Sequence, residues 1–282
     1  MKKVWFKSGI MLLMLTLFMS GCTKDDQNGN VEVQLTDAPF PMSFVASVNM
    51  NITKVEVENA ETGEYVTVYE GSGTYNVAAL TNGATAEINV ASLPAGTYDK
   101  VRVTVDGVNV ALTDGRNFDV SAGQSFQAES NIVPALHVNA DGQSSLLIDV
   151  DLAESFDFEL NNWTDIISSV SQILGIGDFD LDFRAADLSA TGTVSGTVTD
   201  ENGHVYANAT VELETGTDLD GDGQADYITT ISDANGQFKF LGVPAGSYQI
   251  KVEAEDGTQL VSDGQITVSA GAEVSVSTFR AE

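Results

Sequence analysis

Apolar and polar residues alternate along most of this chain. Val31-Glu32-Val33-Gln34-Leu35, Val48-Asn49-Met50-Asn51-Ile52 and Lys54-Val55-Glu56-Val57-Glu58 each repeat with a period of two. That period buries one face of a strand and wets the other, as antiparallel sheets do. Turn pairs separate the runs: Thr62-Gly63, Asn82-Gly83, Asp106-Gly107, Asp114-Gly115 and Asp141-Gly142. Short strands so spaced predict a sandwich or barrel. Trp163 to Leu174 departs from the pattern, with Ile166, Ile167, Val170, Ile173 and Leu174 at helical spacing and Gly175 as a stop. A boundary falls between Ala185 and Gly192, and strands follow over Thr193–Thr199, Ala209–Glu214, Tyr227–Ile231, Gln237–Phe240, Tyr248–Ala254 and Ala272–Phe279. The expected fold is all-β: two consecutive antiparallel β-sandwich domains, residues 31–187 and 188–282, with one short helix in the first.

Both halves contain the same phrase. Leu93-Pro94-Ala95-Gly96-Thr97-Tyr98 runs into one strand, and Val243-Pro244-Ala245-Gly246-Ser247-Tyr248 into another. Proline presets φ for a turn, glycine is expected at positive φ, and tyrosine starts the next strand against the core.

The chain begins outside this pattern. Lys2, Lys3 and Lys7 precede an apolar stretch from Ile10 to Met19, then Ser20-Gly21 and the sole cysteine, Cys22. The stretch is too short to span a bilayer comfortably and reads as a cleaved signal helix over residues 1–21. Small residues before Cys22 resemble the lipobox of bacterial lipoproteins. The resemblance implies that cleavage makes Cys22 the N-terminus and that it carries acyl chains, palmitate among them, which insert into outer-membrane lipid. Residues 22–30 form a polar tether, and its Lys24-Asp25-Asp26 resembles the surface-export signal of Bacteroidota lipoproteins, implying a body that faces the extracellular side.

Composition narrows the partners. The 282 residues suit about two domains. Lys and Arg number 12 against 41 Asp and Glu, a net charge of −29 that deepens to −32 once the signal and its three lysines are removed. Such a field excludes binding nucleic acid through basic patches and attracts divalent cations. One cysteine excludes a disulfide framework, a thiolate zinc cluster and a CxxC redox pair.

The downstream half resembles the carboxypeptidase-regulatory-like domain, a transthyretin-like sandwich. Gly196-Thr197-Val198-Thr199-Asp200-Glu201-Asn202-Gly203, Ala207 to Val211, Ser232 to Phe240 and the Val243 to Tyr248 corner carry the resemblance in order. It implies a non-catalytic accessory or stiff extension. The upstream half resembles the lipoprotein domain-of-unknown-function 4382 family through Leu35-Thr36-Asp37-Ala38-Pro39, Val48 to Val57, the Leu93 to Tyr98 corner, Asn109-Val110 with Leu112 to Gly115, and Leu147 to Asp151. Both resemblances imply Ig-like or transthyretin-like sandwiches, and neither brings a reaction with it.

Candidate chemistry is sparse. His204 follows Asn202-Gly203 in a turn, and His137 points outward on a strand, so neither serves an activated nucleophile; no GxSxG elbow occurs. Glycoside hydrolysis needs paired carboxylates. Asp149 with Asp151, and Asp178, Asp180 and Asp182, are expected to share strand faces; solvated acidic faces explain them more simply. Tyr65 and Tyr69, four apart on a strand, are expected to share a face and could stack on a sugar ring. The sharpest candidate is Asp218-Leu219-Asp220-Gly221-Asp222-Gly223-Gln224-Ala225-Asp226, with acids at positions one, three, five and nine. Alternate Asp oxygens and the Gln224 carbonyl can wrap Ca²⁺, and the loop resembles those of dockerin and thrombospondin repeats. The expected protein is a non-enzymatic, lipid-anchored surface module with a structural Ca²⁺. Alternatives are a glycan-binding accessory of polysaccharide uptake, or an acid-residue glycoside hydrolase. Its partners would be an extracellular glycan or a surface protein.

Overall fold

A computed structural model describes residues 27–38, 45–120, 125–156, 179–200, 202–219, 223–254, 256–276 and 279–281. The signal, Cys22 and the expected helix from Trp163 to Leu174 lie outside them. Strands dominate throughout, as the alternating pattern predicts. The described α-helix is one turn, α1 (Leu152–Ser155), whose first N–H groups are capped by the Asp151 carboxylate.

The first half contributes β1 (Asn28–Asp37), β2 (Val45–Asn59), β3 (Tyr65–Asn76), β4 (Ala86–Pro94), β5 (Gly96–Leu112), β6 (Asn117–Asp119), β7 (Phe126–Val138), β8 (Gln143–Val150) and β9 (Phe183–Asp187). They join in the order β3-β2-β5-β7-β9-β8-β1-β4, with β6 on β5. β7 and β9 meet through one parallel bridge, Ile132 to Ala185. The sheet therefore folds over there into two layers, whose inward residues share one core including Val33, Leu35, Met50, Val55, Tyr98, Val103 and Ile148. At the far side the free edges approach, and the Asn89 amide donates to the Val68 carbonyl at 2.7 Å.

Several local expectations change. β1 pairs with β8 in parallel, a pairing that period two alone does not signal. Asp106-Gly107 lies inside β5 instead of turning the chain. The register there jumps from Val108–Met50 to Val105–Ile52, so the glycine sits at a bulge. Asp149 and Asp151 do not share a strand face, because β8 ends at Val150 and Asp151 turns into α1. Asp180 and Asp182 precede β9, outside any ladder, and Asp178 lies outside the described residues.

The second half contributes β10 (Gly192–Thr197), β11 (Thr210–Glu214), β12 (Tyr227–Ile231), β13 (Gln237–Val243), β14 (Gly246–Tyr248), β15 (Ile250–Glu253), β16 (Gln259–Ser262), β17 (Ile266–Val268), β18 (Glu273–Val276) and β19 (Phe279–Ala281). Sheets ordered β13-β10-β18 and β12-β11-β15-β16-β19, with the pair β14-β17, enclose a second core around Val211, Leu213, Phe238, Phe240, Ile250 and Phe279. The repeated phrase makes the same hydrogen bond twice. Tyr98 Oη donates to the Pro94 carbonyl at 2.9 Å, and Tyr248 Oη to the Pro244 carbonyl at 2.8 Å. Neither glycine of the phrase has positive φ. Gly246 is needed for another reason: a Cβ there would lie 2.8 Å from Tyr248 Oη, beneath the ring.

Candidate functional site

The most concentrated buried charge lies where the two halves meet. Along β8, Leu146, Ile148 and Val150 point into the first core while Leu147 and Asp149 point to the opposite face. Leu147 and Ala186 are nevertheless fully buried. The second domain covers them: a Cβ on Gly242 would stand 2.8 Å from Leu147 Cδ2, and Gly242 has φ +62°. Strands covered on both faces read as continuous apolar runs, which explains Leu146-Leu147-Ile148.

Asp149 and Arg184 are paired across β8 and β9, and their side chains are 9% and 11% exposed. Arg184 Nη2 donates to Asp149 Oδ2 at 2.5 Å and to the Leu241 carbonyl at 2.9 Å; Nη1 donates to the Gly242 carbonyl at 2.9 Å. One guanidinium thus joins a carboxylate of the first domain to two carbonyls of the second. Beside it the Asn82 amide donates to the Gln237 carbonyl at 3.2 Å, and the Lys239 stem crosses Gly83. The second domain therefore lies along the outer face of the β8–β9 layer.

Asp37 ends β1 next to this cluster. Its side chain follows Val31, Val33 and Leu35 on the inward face, it is 5% exposed, and neither carboxylate oxygen has a hydrogen-bond partner. Burial, then the charges of Asp149 and Asp151, push its pKa well above the usual carboxylate range; the Leu152 N–H offsets part of this without reaching hydrogen-bond geometry. Burial raises Asp151 to about 6. It raises Asp149 too, against the pull of Arg184. A shallow cleft, open to solvent, runs between the domains past Thr36, Asp37, Asp149, Arg184, Thr230 and Lys239. Its depth holds about one water molecule, too little for a sugar ring. Among the described residues, no three His, Cys, Asp or Glu side chains are placed to share a metal ion.

The tyrosine pair is not a platform. Tyr65 lies opposite Glu58 and Tyr69 opposite Val55, with a register shift between. That bulge puts Tyr65 on the charged outer face and turns Tyr69 toward the core, where it packs. The Arg102 guanidinium covers one face of the Tyr65 ring at 3.7 Å and pairs with Glu129 and Glu56. Burial, then Glu58 and Glu129, raise the Tyr65 phenol pKa. His137 and His204 are exposed, His204 edge-on to Tyr206 at 4.6 Å.

In the acidic loop, Asp220 and Asp222 lie outside the described residues. Around them, Leu219 is buried in the second core, its N–H donates to Asp226 Oδ2 at 2.5 Å, and the Gly223 N–H donates to Asp218 Oδ2 at 3.0 Å. Arg184, Asp37 and Gly242 escape sequence reasoning as site residues. Only the continuous apolar run before Asp149 hints at them.

Among solved structures, the chain is similar to the Bacillus anthracis TIE protein, at 12% identity over 88% of this chain and 39% of that one, with a TM-score of 0.24. It is also similar to BcpA, the major pilin subunit of Bacillus cereus, at 13% identity over 90% of this chain and 70% of that one, TM-score 0.23. A third is GBS52, the minor pilin of Streptococcus agalactiae, at 11% identity over 89% of this chain and 96% of that one, TM-score 0.24. The chain spans about 39% of the length of the TIE protein. No curated protein matches it. Residues 28–164 match the family described as Domain of unknown function (DUF4382), and residues 193–282 match the carboxypeptidase regulatory-like domain. The two matched stretches do not overlap and fall one in each half of the chain.

Proposed function

We propose that this is a lipid-anchored, non-enzymatic protein of the outer membrane, presenting a two-domain β body to the extracellular side. One observation carries the non-enzymatic part of the reading: the buried Asp149–Arg184 pair is spent on joining the domains. Arg184 holds Asp149 and two carbonyls of β13, and Asp151 caps α1, so the first of the two carboxylate groups considered for hydrolysis is engaged in structure. The glycan reading loses its stacking pair for the reason given above. The second domain serves as a brace beside the first rather than an extension beyond it. Among the described residues no helix is long and apolar enough to cross a membrane, and anchoring falls to Cys22. Cys22→Ala is expected to move the protein from the membrane fraction to the soluble one. A variant that stays with membranes through a high-salt wash would overturn the anchor.

The loop from Asp218 to Asp226 is the proposed structural Ca²⁺ site of this body. The carboxylates at its two ends are already turned inward by the N–H groups of Gly223 and Leu219, which supports a closed loop. With a Kd near ~10⁻⁴ M and millimolar calcium outside the cell, binding would contribute on the order of 1–2 kcal/mol. Thermal melting in calcium and then in chelator measures it. Coincident curves, unchanged by Asp220→Ala with Asp222→Ala, would leave only a charged turn.

A further inference from the structure

β1 leaves the tether at Asn28 and ends at Asp37, so Asp37 lies at the end of the first domain farthest along β1 from the anchor. The position is chemically odd. Inward places on β1 hold Val31, Val33 and Leu35, and the series closes on a carboxyl group with both oxygens buried and unbonded. Native proteins rarely leave such a group without a partner. Its backbone is fully engaged: the Asp37 N–H donates to the Leu80 carbonyl at 3.1 Å, and the Ala38 N–H to the Val150 carbonyl at 2.8 Å. The backbone that carries the carboxyl group is therefore fixed between β8 and the turn at Leu80, and the group sits buried beside the interdomain cleft.

The described charged groups around it are mostly of the same sign. β8 and the turn after it supply Asp149 and Asp151, and α1 adds Glu154 next to Asp151. β9 supplies Arg184, already committed to Asp149, and β13 supplies Lys239 across the cleft. An ionised Asp37 would add a negative charge beside Asp149 and Asp151, with only the Leu152 N–H, short of hydrogen-bond geometry, to oppose it.

We propose that Asp37 is a proton-operated brace for this end of the first domain: as a neutral acid it lets β1, β8 and α1 close over it, and on ionising it drives them apart. The sign follows from linkage. The folded form holds the proton more tightly than the unfolded chain, as the raised pKa of Asp37 indicates. The brace is therefore fully effective below the ordinary aspartate range near ~4, and it weakens as pH rises toward the folded pKa. Asp151, held near 6, adds to the same slope. The protein would be firmest in mildly acidic surroundings and loosest in alkaline ones, at the end remote from its anchor.

The test compares the full chain with Asp37→Asn, which is neutral at every pH, in a background carrying Asp220→Ala and Asp222→Ala so that the acidic loop does not respond to calcium. The difference in melting temperature, variant minus wild type, should grow in the variant's favour by about 3 °C or more between about pH 4.5 and pH 8. Carbon-detected NMR of the Asp37 carboxyl should show it titrating well above the normal range. Amide exchange over residues 146–156 should quicken with pH in wild type and not in the variant. A melting difference that stays constant with pH, or a carboxyl that titrates near ~4, overturns the proposal. So does calcium or sodium raising the melting temperature of wild type but not of Asp37→Asn at pH 8, because a cation would then be the group's natural partner.

Discussion

The tyrosine that opens the strand after each Pro-Ala-Gly corner shows how one side chain closes a turn. Tyr248 is buried, its ring lies over Gly246, and its hydroxyl returns to the carbonyl four residues back. Removing the hydroxyl keeps the ring and loses the bond, so Tyr248→Phe is expected to lower stability by about 1 kcal/mol. Denaturant titration of the whole protein measures this, and a change below about 0.3 kcal/mol would show that ring packing alone holds the corner. At this scale the sequence was legible where chemistry is local: the repeated phrase announces its own corner. It was not legible where partners are distant. Asp149 and Arg184 are 35 positions apart and meet only because β8 and β9 pair, and nothing near Asp37 in sequence tells that its carboxyl group will be sealed without a donor.

Element by element, period two located most strands, and β12 (Tyr227–Ile231) has the expected bounds. What it could not supply was partner, direction or interruption. The parallel ladder between β1 and β8 depends on a crossover through six intervening strands, β2 to β7, and alternation within β1 is the same for either direction. Bulges did the most damage to the functional reading. One extra residue between Thr67 and Tyr69 turns Tyr69 to the other face and breaks the pair it was expected to make with Tyr65. Asn82 and Gly83, by contrast, adopt φ of +56° and +76°, the left-handed pair that an Asn-Gly turn requires. That turn is then reused as a contact, since Asn82 reaches the Gln237 carbonyl of the second domain.

The whole molecule depends on whether its two cores behave as one. The two cores are built from different halves but meet: Val133 of β7 packs against the second core, Gly242 comes down on Leu147 and Ala186, and Arg184 makes its hydrogen bonds to Leu241 and Gly242 across the same seam. Separation would leave a nearly buried guanidinium short of two acceptors and expose Leu147 to water. These losses are a sizeable share of the ~5–15 kcal/mol by which domains are usually stable, so the domains are expected to unfold together in one calorimetric transition. The coupling can be broken from either side. Arg184→Ala strands Asp149, at about 3–5 kcal/mol for an unpaired buried charge, and removes both bonds to β13. Gly242→Val puts a branched side chain at φ +62° and drives it into Leu147. Each variant is expected to split the single transition in two, with the altered domain melting first: the first domain for Arg184→Ala and the second for Gly242→Val. The opposite order of melting in the two variants is the decisive reading, because a general loss of stability would lower one common transition in both.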